Sequence, residues 1–194
     1  MKNIRGLSAL LLCAWMLMYS PAAAGDVADP SATVKSLLDA VTELSKGETV
    51  AAPGTAGRIT ETLDLVKICE ACLRDTWKAI SPTERDRFAH LFREVLEKVA
   101  YPKSAKFFKE TRVEIEEVET VGNRVEVLTV VEHPEEGMIE VGYCLRLAGD
   151  RWLIDDILLD GISLVRDLRS QMQKIIREKS YDELKNRIRE KLDE

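Results

Sequence analysis

The stretch VGYCLRLAGDRWLIDDILLDGISLVRDLR, Val141 to Arg169, decides the architecture of this chain. Val141, Tyr143, Leu145 and Leu147 occupy alternate positions and share one face of a strand. Ala148-Gly149-Asp150 supplies turn chemistry. A second alternation sets Trp152, Ile154, Asp156 and Leu158 against Leu153, Asp155, Ile157 and Leu159, which predicts an antiparallel partner. Gly161 ends that strand, Ser163 offers a cap, and Leu164, Val165, Leu168, Met172, Ile175 and Ile176 recur at helical spacing. So short a connection folds the helix back near the sheet it left. The expectation is a long apolar groove between the two.

Two further strands are expected upstream, Thr111 to Glu119 and Asn123 to Glu132, joined at Val121-Gly122-Asn123. The run His133-Pro134-Glu135-Glu136-Gly137 then turns the chain into Met138 to Leu147. Turns this short permit only antiparallel neighbours, so the four strands form a meander. Helices precede it. Asp29-Pro30 caps one that carries Val34, Leu37, Leu38, Val41 and Leu44. Residues 46–57, rich in Gly and Ala, read as a flexible loop. A single helix from about Asp64 to Ile80, with a helical turn from Arg58 ahead of it, carries Leu65, Ile68, Cys69, Cys72, Leu73 and Trp77. Ser81-Pro82-Thr83-Glu84 starts another, with Phe88, Leu91, Phe92, Val95, Leu96 and Val99 on its core face, and Tyr101-Pro102 ends it. Ser180 to Glu183 opens a closing helix bearing Leu184, Ile188 and Leu192. The fold class is α+β: a four-stranded antiparallel meander curved around a helical layer. It resembles the nuclear-transport-factor-like cone, which has an apolar cavity and hosts enzymes, carriers and dimerisation modules alike.

The ends and the composition bound the rest. Lys2 and Arg5, the uncharged apolar run Leu7 to Tyr19, and Ala22-Ala23-Ala24 read as a secretory signal peptide over residues 1–24, cleaved near Ala24. That leaves residues 25–194 as one exported domain. The formal charge is −6, and removing Lys2 and Arg5 makes the remainder more acidic. Such a balance argues against nucleic acid as a partner. Cys69, Cys72 and Cys144 remain after cleavage, an odd count that is not a disulfide framework. Cys69-x-x-Cys72 lacks the following His of a haem site and the second ligand pair of a zinc site. Its place on an apolar helix stripe favours buried packing thiols.

No nucleophile triad, zinc-protease, phosphate-loop or dinucleotide motif occurs. Asp155, Asp156 and Asp160 are the clustered acids near the groove. Asp156 is expected on the same face as Trp152 and Ile154, where a semi-buried carboxylate could serve an isomerase or dehydratase on the cone, against a strand-end acid that caps or pairs with a nearby Arg as the plainer reading. His90 sits on the helix face away from Phe88 and Phe92, and His133 precedes a proline in a turn, so neither reads as a base.

Several pieces carry a family resemblance: Leu63-Asp64-Leu65, Trp77 with Ser81 and Arg85, Phe88, Phe92 and Tyr101, then Val141-x-Tyr143 and Trp152-x-Ile154-x-Asp156. Gly161-Ile162-Ser163-Leu164-Val165 with Arg169 and Gln171, and the closing Leu184 and Leu192, continue it. The chain from about Asp29 onward resembles the MlaC or toluene-tolerance family, the periplasmic phospholipid-binding component of the Mla lipid-transport pathway. The resemblance implies a monomeric periplasmic carrier with no chemistry, cofactor or metal. Its partners would be phospholipid, an inner-membrane ABC transporter complex with its substrate-binding ring, and an outer-membrane lipoprotein complex. The competing classes are the periplasmic enzyme above and a dimerisation module using the outer face of the sheet.

A two-chain lipid carries on the order of 30 methylenes, each favouring burial by about 0.8 kcal/mol, so it needs a deep cavity. The expected lining is Phe88, Phe92, Leu96, Tyr101, Val127, Val141, Tyr143, Leu145, Ile154, Val165, Leu168 and Met172. Core packing explains each of these singly; the resemblance is what turns the set into a cavity. Arg166 and Arg169, with Lys103 and Lys106 after the Tyr101 helix, are the candidates for a headgroup phosphate, against a solvated basic surface as the plainer reading.

Overall fold

The computed structural model describes residues 29–46 and 54–193. Residues 1–24, read above as a signal peptide, and residues 47–53 of the expected flexible loop lie outside them. Asp29 caps α1 (Pro30–Ser45) through its side chain, and Pro30 takes the first helical position. Thr55, Ala56 and Gly57, expected in the loop, instead form the first turn of α2 (Thr55–Glu61), with Thr55, Ile59 and Thr60 buried. The helix expected over Asp64 to Ile80 is two, α3 (Leu65–Leu73) and α4 (Asp75–Ala79), broken at Arg74 with φ 51°. The last α3 carbonyls, Cys72 and Leu73, accept from the Gln173 side-chain amide at 3.0 and 2.9 Å. A residue a hundred positions away thus satisfies the helix end, and no local Gly or Pro marks it.

Ser81 caps α5 (Pro82–Val95) as expected, its hydroxyl accepting from the Glu84 amide. The chain does not stop at Tyr101-Pro102. It widens into one π-helical turn (Leu96–Ala100), in which the Tyr101 amide reaches back to the Leu96 carbonyl, and continues as α6 (Tyr101–Phe107). Proline in a tight α-turn clashes with a carbonyl and lacks a donor; the wider turn accommodates it. This extension carries Phe107 and Phe108 over the sheet.

The strands are β1 (Arg112–Val121), β2 (Arg124–His133), β3 (Gly137–Ala148) and β4 (Arg151–Leu159), with a two-residue β5 (Ile162–Ser163) making a fifth at the edge. They pair in sequence order, each antiparallel to the next. The register slips in β4: Cys144 opposes Asp156 and Leu145 opposes Ile154, so Asp155 is the extra residue of a bulge. The slip overturns the alternation expected for Asp156. Trp152 and Ile154 face the helices, and beyond the bulge Ile157 and Leu159 do so in its place. Leu147 departs from its set too; it lies near the end of β3 and is 41% exposed.

Two cores result. One joins the inner face of the sheet (Val127, Val131, Val141, Tyr143, Leu145, Ile154) to α1, Ile59 and Tyr101. The other joins α3, α4 and α5 to α7 (Leu164–Glu178) and α8 (Tyr181–Asp193). The groove expected between the sheet and α7 is therefore placed differently, because α7 turns its apolar stripe chiefly onto α3. Leu63 and Leu96 touch both cores. The cores are also stitched through backbone: the Asp64 amide donates to the Ile154 carbonyl at 2.8 Å, and the Ile154 amide to the Thr62 carbonyl at 2.9 Å.

Candidate functional site: an apolar chamber under the sheet

Between the sheet and α1, α2 and α6 lies a cavity of about 460 Å³. From α1 it takes Leu37, Leu38 and Val41, three residues of one helical face. Ile59 and Leu63 close one wall, and Tyr101, Phe107 and Phe108 another. Val141, Tyr143, Ile139, Ile157 and Leu159 form the floor, and Leu164 of α7 touches its edge. Ser104, Glu136 and Asp160 are exposed and mark the rim; apart from the buried hydroxyls of Tyr101 and Tyr143, the lining inside it is apolar. Ligand pockets of roughly 300–1,000 Å³ commonly look like this, apolar inside with a few polar groups at fixed places.

The two buried phenols are accounted for. The Tyr101 hydroxyl lies 3.1 Å from the Thr60 hydroxyl, and burial pushes its pKa up to about 12 against the lowering effect of that bond. Tyr143 is likewise pushed up to about 12 by burial, with Thr129 opposing. Both stay neutral. Phe107 and Phe108 meet edge to face at 5.3 Å, and Phe107 stacks on His133 at 4.8 Å. The chamber has a neighbour: a more open groove between α1 and β1, lined by Val113 and Ile115, shares Leu38 and Phe108 with it.

Of the residues expected to line a cavity, the structure brings Tyr101, Val141 and Tyr143 to this one. Val127, Leu145 and Ile154 are fully buried in the same core without lining it, and Leu96 packs against both cores. Phe88, Phe92, Val165, Leu168 and Met172 belong to the second core with Cys69 and Cys72. Arg166 and Arg169 line a separate polar cleft on the other side of the start of α7. Apart from Tyr101, the α1, α2 and α6 walls went unassigned in the sequence. Their one readable signal was the width of the α1 stripe, where Leu37 and Leu38 stand side by side.

Each of the clustered acids has a partner, although the Oδ1 of Asp155 is buried without one. Asp156 accepts from the Ile157 amide (2.9 Å), the Val165 amide (3.1 Å) and the Ser163 hydroxyl (2.6 Å), so it anchors the start of α7. Asp155 is buried and pairs with Arg124 at 2.9 Å; burial raises its pKa, and the arginine opposes that. Asp160 accepts from the Glu140 amide. His133 takes the Glu135 and Glu136 amides on Nδ1, and His90 is exposed beside Glu94. Cys69, Cys72 and Cys144 are free thiols; burial pushes Cys69 up, Cys72 up to about 12 and Cys144 up to about 11. Among the described residues no group of three His, Cys, Asp or Glu is placed to hold a metal ion, and no helix is long and apolar enough to cross a membrane.

Fold and chamber together define a class: an α+β protein whose antiparallel sheet and covering helices enclose an apolar cavity. The model of the MlaC protein family matches residues 34–190, and the chain belongs to the MlaC family. Among solved structures it is similar to the phospholipid-binding protein from Ralstonia solanacearum, determined in complex with a phospholipid. The TM-score is 0.71 at 18% identity, over 85% of this chain and 97% of that one. At that identity the likeness establishes a shared fold. No curated protein matches the chain.

Proposed function

We propose that this protein is a carrier that holds the acyl chains of a phospholipid in the chamber between the sheet and α1, α2 and α6. The observation that carries the reading is the chamber itself, apolar inside apart from the buried hydroxyls of Tyr101 and Tyr143, with its other polar groups on an exposed rim. An apolar interior of about 460 Å³ has no use for water, and methylenes gain about 0.8 kcal/mol each by entering it. The groove sharing Leu38 and Phe108 offers room for further chain length if those two side chains turn. The family and the phospholipid bound by the Ralstonia protein support the ligand class.

On this reading the headgroup stays at the rim near Ser104, Glu136 and Asp160, and the protein does no chemistry. The enzyme alternative draws no support from Asp155 or Asp156, which lie outside the chamber, one paired with Arg124 and the other anchoring α7. An exported precursor, a periplasmic location, shuttling of lipid as a monomer between an inner-membrane ABC transporter complex and an outer-membrane lipoprotein complex, and independence of any cofactor complete the proposal. Organic extraction of the purified protein, before and after incubation with liposomes, followed by mass spectrometry, tests it. Phospholipid at a fixed molar ratio is expected; none after loading would overturn the reading.

A further inference from the structure

The face formed by α3 and α7 carries a charge pattern that the chamber does not explain. Arg166, Arg169, Gln173 and Arg177 recur at helical spacing on α7, along the edge of the buried stripe that carries Met172. Gln173 ties this face to the end of α3, where Arg74 projects from its positive-φ position. Two clefts run along it, of about 540 and 390 Å³, and they share Arg169.

The charges in these clefts are unbalanced. Each lining carboxylate has a partner: Glu70 with Lys67 at 2.7 Å, Asp75 with Lys78 at 3.5 Å, Asp155 through Oδ2 with Arg124 at 2.9 Å while its buried Oδ1 has none, and Asp156 in anchoring α7. Arg74, Arg166, Arg169 and Arg177 have no ion pair among the described residues. This is a concentration of cationic charge on a chain whose formal balance is −6. Like charges held together repel, and an anion seated among them relieves the repulsion. Guanidinium groups favour the planar fork of a carboxylate or phosphate.

We infer that the α3–α7 face is a docking surface for an acidic segment of a partner protein, whose carboxylates enter the two clefts between Arg74, Arg166, Arg169 and Arg177. Recessed clefts admit projecting side chains, whereas a bilayer surface meets only their rims. The inference is separate from the lipid reading, because the clefts lie outside the chamber.

The test uses the full protein, a labelled alternating glutamate–alanine peptide and phosphatidylglycerol vesicles. Saturable peptide binding is expected, weakening roughly tenfold between about 50 and 200 mM salt as the charges are screened. The double variant Arg169→Glu/Arg177→Glu should lose tenfold or more in affinity, and Arg166→Glu/Arg74→Glu a comparable amount. Both variants should keep the wild-type circular dichroism and extractable lipid. No saturable binding, or equal binding by the variants, would overturn the inference. So would binding to vesicles in preference to the peptide, or salt-sensitive self-association that the same substitutions abolish.

Discussion

Replacing Val141 by Phe separates a lipid chamber from a filled core, because the two make opposite predictions for stability. Val141 is 2% exposed and lies in the floor of the chamber, between Thr129 on β2 and Leu159 on β4. Phenylalanine adds about four carbons, and inside a chamber these take the place of about four lipid methylenes. At about 0.8 kcal/mol each, the loss of binding is about 3 kcal/mol, or about a hundredfold in affinity. Stability should hold or rise by up to about 1 kcal/mol, since a void is being filled. A side chain already surrounded by packed neighbours would do the reverse, losing about 1–3 kcal/mol to overpacking. Titration with a fluorescent phospholipid and thermal unfolding of the lipid-free protein read the two quantities. Unchanged lipid affinity together with a lowered Tm would refute the placement of the chamber.

Asp156→Ala should cost about 2–3 kcal/mol in urea unfolding, because it removes a charged acceptor shared by two amides and a hydroxyl at the start of α7; a loss under about 0.5 kcal/mol would show that it is not the anchor. Glu84, held below the usual carboxylate value by Lys185 at 2.7 Å, adds stability that is present above pH 4.5 and lost as pH falls through its lowered value. E84Q should therefore be less stable than the parent by about 1 kcal/mol at neutral pH, with the gap closing in acid; a gap independent of pH would contradict the pairing. Cys69 and Cys72, fully buried with thiols pushed up by burial, should react with maleimide only on unfolding, as mass spectrometry of native and urea-treated protein will show.

The strands were legible because one face of the meander is buried and the other wet, so alternation and turn chemistry set their ends to within a residue or two. The caps at Asp29, Ser81, Ser163 and Ser180 were legible for the same reason: each is a short-range bond between a side chain and a nearby amide. What escaped was set by distant partners. The break at Arg74 depends on Gln173, and the bulge at Asp155 on pairing with β3 and on Arg124. Pro102 reads as a stop in any local view, yet a π-turn carries the helix past it to Phe107. That continuation moved the chamber. The groove was expected at α7 because the short connection after β4 folds that helix back beside the sheet, and Phe88, Phe92 and Met172 were assigned to its lining. They fill the second core. Hydrophobic periodicity shows which residues leave water but not which of two cores receives them.

The central claim is that acyl chains enter the chamber under the sheet, and paramagnetic broadening of methyl resonances tests it most directly. A phospholipid with a spin label deep in one chain, added to methyl-labelled protein, should broaden Leu37, Leu38, Ile59 and Ile139 and leave Ile68, Leu184 and Ile188 sharp. Broadening centred on the second set, or none in either, would contradict the account.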